Sequence, residues 1–164
     1  MDQSLLIADA STLLNFLHVR RFDLMQGMGL KVRIVDAVYD EVASEREQLD
    51  RLVNEEAIRV LTLEGEALTG NVARLLSLGL GQGEAFSFAA AIEFKGAIAI
   101  DDRRAIKRAQ IVAPDIAIIT TTDIVLAGIQ SNRITVVEAD LLKTEWADNH
   151  RFRLKFGSFN DLLK

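Results

Sequence analysis

Five carboxylates occupy positions from which they could work as a group. Asp9 ends the apolar run Leu5-Leu6-Ile7-Ala8, Glu41 follows the β-branched run Lys31–Val35, and Glu84 opens the apolar stretch EAFSFAAAIEF. Asp101 and Asp102 end Ala97–Ile100. The segment from Gly81 to Arg104 reads as a glycine turn, a nearly all-apolar helix and a short strand. From Glu84 to Lys95 a helix travels about 16 Å. A strand from Ala97 to Asp101 returns by roughly 13 Å. Packed antiparallel, the two would bring Asp101 and Asp102 back toward Glu84. No lysine or arginine closely precedes these acids, and an ionised carboxylate at the edge of a buried element is costly without compensation. A sulfur-free set of oxygen donors suits Mg2+ or Mn2+. Such a metal site can activate water and neutralise a phosphodiester.

Each acid also has a purely structural reading. Asp9 could cap the helix that follows it, as could Ser11 or Thr12. Glu41 could be a solvated helix residue, and Glu84 could answer a helix dipole. Asp101 or Asp102 could cap the helix that follows, although one cap leaves the other acid unexplained. As a set at one sheet edge the acids are harder to dismiss. Other chemistries fail on spacing. Gly79-x-Gly81-x-Gly83 follows a helix, unlike a dinucleotide fingerprint. His18 and His150 have no zinc spacing, and there is no phosphate-loop lysine motif.

The elements that must position these residues alternate. Strands are expected at 5–8, 31–35, 58–63, 97–101 and 116–119. Helices are expected at 12–19, 22–28, 37–46, 48–56, 67–78, 84–95, 103–111 and 122–130, with a longer one from about 137. This pattern implies a three-layer α/β/α sandwich around a mainly parallel sheet of four to five strands. In such sheets ligands bind beyond the carboxyl ends of the strands, where all five acids would fall. Asp123 adds an acid near that edge, as a further ligand or a cap. The 164 residues suggest one domain, 1–164, with a helical and basic-aromatic extension from about 137.

The net charge of −5 argues against binding nucleic acid by bulk charge. Cations are concentrated instead at Arg103, Arg104, Lys107 and Arg108, and again at Arg151, Arg153 and Lys155. Phe152 and Phe156 interleave the second group and could stack bases. The chain has no cysteine, which excludes disulfides and suits a reducing, cytoplasmic setting. MDQSLLIAD lacks the pattern of a signal peptide, and no apolar run reaches the roughly 20 residues of a membrane span.

Taken jointly, several motifs resemble the PIN-domain family of nucleases, which includes the VapC-type toxins. They are Asp9-Ala10-Ser11 with Leu13-Leu14, Arg21-Phe22-Asp23-Leu24-Met25, and Ala37-Val38-Tyr39-Asp40-Glu41-Val42. Leu80-Gly81-Gln82-Gly83-Glu84-Ala85 and Ile100-Asp101-Asp102-Arg103-Arg104-Ala105 complete the set. They cover most of the first 130 residues in order. The similarity is closest to a bacterial and archaeal subgroup of that family. Two positions depart from its pattern: Asp36 stands where a proline is usual, and Thr121-Thr122-Asp123 replaces a glycine-threonine turn. The resemblance implies a metal-dependent endoribonuclease, a hydrolase using Mg2+ or Mn2+. Asp9, Glu84 and one or both of Asp101 and Asp102 would be ligands, the spacing favouring Asp102 as the counterpart of the family's last aspartate, with Glu41 a ligand or the group that orients water. It also implies RNA as substrate, a cognate antitoxin and a homodimer as expected partners, and no membrane. Two other readings compete. One is a PIN-like module that binds RNA or protein without cleaving. The other is a magnesium-dependent phosphatase or receiver-like domain, ranked last because the paired acids come late in the chain.

Overall fold

The computed structural model describes residues 4–163. The reading of the N-terminus as free of a signal peptide falls partly on residues 1–3, outside the described residues. β1 (Leu5–Ala8) lies at the centre of a five-stranded sheet. β2 (Lys31–Val35) and β4 (Ala97–Ala99) flank it, and β3 (Arg59–Leu61) and β5 (Ala117–Ile119) form the edges, giving the order β3-β2-β1-β4-β5. Every pairing among the described strands is parallel. Leu6, Ile7 and Ala8 are all fully buried although consecutive residues point to opposite faces. Both faces of the sheet are therefore covered, which is why β1 is a continuous apolar run rather than an alternating one.

The crossovers are helical. α1 (Ala10–His18) and α2 (Phe22–Gln26) follow β1, and α3 (Asp36–Glu41) and α4 (Arg46–Asn54) follow β2. After β3 a π-helical segment, Ala67–Val72, runs into α5 (Ala73–Ser77). α6 (Gln82–Glu93) then leads to β4, α7 (Arg103–Val112) to β5, and α8 (Thr121–Gln130) and α9 (Val136–Asn149) follow. α6 buries Gly83, Ala85, Ser87, Phe88, Ala89, Ala90 and Ala91 against the sheet and α3. Its alanines leave room for the close helix-on-sheet approach that a central crossover needs.

The helix expected over 37–46 is shorter than that, and α4 answers the separate helix expected over 48–56. α3 ends at Glu41, and Val42 leaves helical geometry with its side chain fully buried. The helical spacing of Val38, Glu41, Val42 and Glu45 does not show this break. From β1 the chain builds outward to β2 and β3, then returns to add β4 on β1's other side. The crevice between β1 and β4 is therefore the point where the strand order reverses, the place where open parallel sheets hold their ligands.

Candidate functional site at the β1–β4 crevice

Asp9 sits in this crevice. Its N–H donates to the Ala99 carbonyl at 2.9 Å, which extends the β1–β4 ladder by one step and fixes where the side chain emerges. Asp9 is only 5% exposed. It makes no side-chain helix cap; instead Oδ2 accepts from the Ser11 hydroxyl at 2.9 Å. Ser11 was expected to cap α1, and it orients Asp9 instead. The Asp9 carboxyl is pushed up to about 6, first by burial and then by the charges of Glu84 and Glu41, against the lowering effect of the Ser11 hydrogen bonds. Among the described residues, no ion pair compensates Asp9, Glu41, Glu84, Asp101 or Asp102.

Glu41 is the last residue of α3 and reaches across to α6. A Cβ placed on Gly83 would stand 1.9 Å from Glu41 Oε1, so the glycine provides the space in which this carboxylate lies. Its pKa is raised by burial and then by Glu84. Glu84, in the first turn of α6, spends Oε1 on the Gly81 N–H at 2.9 Å. The structural reading of Glu84 is thus realised for one of its two oxygens, while its charge still acts on both Asp9 and Glu41.

Asp101 and Asp102 divide the two functions that sequence left open. Asp102 is the N-cap of α7, with Oδ1 accepting from the N–H groups of Arg104 (2.9 Å) and Ala105 (3.1 Å). Asp101 is held by three donors. Thr12 Oγ1 and Thr121 Oγ1 donate to Oδ2 at 2.8 and 2.6 Å, and the Thr121 N–H donates to Oδ1 at 2.9 Å. Thr121 in turn accepts from Asn15 Nδ2 at 3.1 Å. Thr12, expected as a cap, is therefore one of the groups that orient Asp101. Asp123 closes a reciprocal cap with Thr120 at the start of α8, the capping alternative for this acid.

Ser11, Thr12, Thr121 and Gly83 are the residues of the site that sequence reasoning missed. A glycine in the first turn of an otherwise buried helix was the available signal for Gly83. The threonines carried none, because 89 and 20 residues separate Thr12 and Thr121 from Asp101.

The donor chemistry fits a hard divalent cation. The candidate donors are carboxylate oxygens without sulfur, and the buried Asp9 has its charge opposed by two neighbouring carboxylates. Among the described residues, no three acidic or histidine side chains already stand together as a coordination group.

The basic residues after the paired aspartates lie on α7. That helix buries Ala105 and Ala109 and leaves Arg103, Arg104 and Lys107 exposed. Arg108 folds back, and its Nη1 donates to the Gly79 carbonyl at 3.3 Å, bracing the turn that leads into α6. In the tail, Phe152 packs edge-to-face on Trp146 and Phe156 on Phe159, and both rings are half-buried. No described helix is long and apolar enough to cross a membrane.

The fold compares with a solved structure, the crystal structure of PAE2754 from Pyrobaculum aerophilum. The TM-score is 0.55 at 16% identity, over 77% of this chain and 91% of that one. At that identity the likeness speaks for the fold. No curated protein matches the sequence. The PIN-domain family model matches residues 5–163. PIN domains are generally nucleases that use divalent metals and act on RNA. With nearly its whole length matched, this chain belongs to the PIN-domain family.

Proposed function

We propose that this protein is a divalent-metal-dependent endoribonuclease that hydrolyses RNA phosphodiester bonds by attack of water. The observation that carries this reading is Asp9, a buried carboxylate at the strand-order reversal. Its pKa is raised to about 6, and Glu84 and Glu41 press on its charge. A fold that keeps such a group at its ligand-binding edge holds it for a counter-charge. Asp9, Glu84 and one or both of Asp101 and Asp102 would hold Mg2+ or Mn2+. When bound, the metal would ease deprotonation of water and offset the charge developing on the phosphate.

The chain's own residues do the positioning. Ser11 orients Asp9 by donating to its Oδ2. Thr12 and Thr121 hold Asp101 in one orientation. Gly83 lets Glu41 approach the first turn of α6, where it would hold the metal or orient the water. Arg103, Arg104 and Lys107 are candidates for RNA contact beside the site, and Arg108 supports the turn behind it. A toxin role, an antitoxin partner and a homodimer belong to the same reading and rest on the family resemblance alone. A cytoplasmic setting rests on the cysteine-free composition.

The competing reading, a module that binds without cutting, draws on Asp102 and Glu84 each spending an oxygen on a helix terminus. Purified protein incubated with single-stranded RNA and Mn2+ separates the two. Cutting that stops with chelator, and that is abolished in Asp9→Asn while the circular dichroism spectrum stays native, supports the nuclease. Equal cutting by wild type and Asp9→Asn would trace the activity to a contaminant and leave the binding module ahead.

A further inference from the structure

We propose that the strap from Arg151 to Lys155 is a phosphate rail that carries single-stranded RNA away from the carboxylates. The inference deepens the ribonuclease reading above and rests on it. Burial alternates along this segment. Phe152, Leu154 and Phe156 are half-buried and pack against the core, whereas Arg151, Arg153 and Lys155 are exposed. Every second residue from Arg151 to Lys155 is thus an exposed cation. Among the described residues none of the three cations is in an ion pair.

The strap is pinned at both ends. The Phe152 N–H donates to the Trp146 carbonyl at 3.1 Å. Beyond Lys155, the Asp140 carboxylate accepts from the Ser158 hydroxyl at 2.6 Å and the Phe159 N–H at 2.9 Å. The cations are thus presented from a backbone already ordered, so less conformational entropy is lost when a ligand engages them. Arg151 adopts φ +55°, a left-handed conformation unusual for a side chain of its size. The chain turns there from the end of α9 into the strap. Arg151 also lines a cleft of about 420 Å³ together with Ser11, Asp101 and Asp102, so the rail begins beside the candidate site.

The chemistry favours a nucleic-acid backbone over bases. The aromatic rings of the strap are half-buried against Trp146 and Phe159, and its exposed side chains from Arg151 to Lys155 are the cations. A protein with a net charge of −5 must concentrate its positive charge locally to hold a polyanion.

The test compares wild type with the double variant Arg153→Gln/Lys155→Gln. It follows binding of a 12-nucleotide single-stranded RNA by fluorescence anisotropy in chelator across a salt series, and cutting in Mn2+. Two lost phosphate contacts should weaken binding and lower the log–log salt slope by about 1.4. Cutting of a trinucleotide should be unaffected. The control Lys31→Gln/Arg51→Gln removes the same charge elsewhere and should keep the wild-type slope. Arg153→Lys should retain it too. Both altered side chains are exposed, so the melting temperature should hold; Arg153→Glu/Lys155→Glu should weaken binding further. If wild type cuts RNA but the double variant keeps its salt slope, or the control flattens it equally, the rail is overturned and the nuclease stands. If wild type neither binds nor cuts RNA, the ribonuclease reading fails and takes the rail with it. If wild type binds without cutting, only the nuclease is overturned, and the slope decides the rail.

Discussion

Replacing Asp9 with asparagine should stabilise the metal-free protein. The Asp9 carboxyl rises from 3.8 to about 6 on folding, chiefly through burial, with Glu84 and Glu41 adding to it. A group with a raised folded pKa contributes nothing adverse below its unfolded pKa. Its cost grows as pH climbs from 3.8 and levels off above about 6. A shift of roughly two units at about 1.36 kcal/mol each makes the cost about 3 kcal/mol at pH 7. Asparagine removes the charge, keeps an oxygen to accept from Ser11 and offers a donor amide to the neighbouring carboxylates. For a domain of this size that gain corresponds to a rise of about 6–12 °C in melting temperature at pH 7. The gain should shrink toward zero as pH falls to about 4. The assay is thermal and urea unfolding of both proteins in chelator at several pH values between 4 and 7.5. The difference between them isolates Asp9 from every other titrating group. Millimolar Mn2+ should then stabilise the wild type and leave the variant nearly unmoved. A variant less stable than wild type at pH 7, or a gain independent of pH, would refute the reasoning.

Three further outcomes follow from the geometry. Gly83→Ala puts a methyl where Glu41 Oε1 now lies, so the flexible glutamate must swing out. Folding should survive, helped by alanine's better helix propensity of up to about 1 kcal/mol, while cutting and the Mn2+-induced rise in melting temperature fall; wild-type cutting would refute the role given to Glu41. Asp123→Ala breaks the reciprocal cap with Thr120; it should cost about 1 kcal/mol in urea unfolding without altering cutting, and loss of cutting in a folded variant would make Asp123 part of the site. His18 is lowered from 6.5 by burial and then by the stacked His150, their rings 4.2 Å apart. Stability should therefore fall as pH drops through about 6.5, because the unfolded chain takes a proton that the fold resists, and His18→Phe should lessen that decline; an unchanged pH profile in the variant would assign the effect elsewhere.

Much of this protein is written locally. The continuous apolar run at 5–8, the β-branched run at 31–35 and the helix stop at Gly79 act through neighbours in the chain, so their periodicity and turn chemistry could be read directly. Four of the five acids lie close to the ends of these elements, which made their shared edge legible once a parallel sheet was inferred. What the sequence could not carry was orientation. Whether Asp101 or Asp102 caps α7 depends on Thr12 and Thr121, which only folding brings to Asp101. The room for Glu41 depends on Gly83 of another helix. Phe152 and Phe156 alternate with cations in a pattern that suits base stacking as well as packing, and only the tertiary structure sets them against Trp146 and Phe159. Local pattern determined which residues could meet at the sheet edge. Asp9, Glu84 and Asp102 are engaged by donors two or three residues away, whereas long-range packing decided how Asp101 is held, because hydrogen bonds between distant segments form only when the chain has closed.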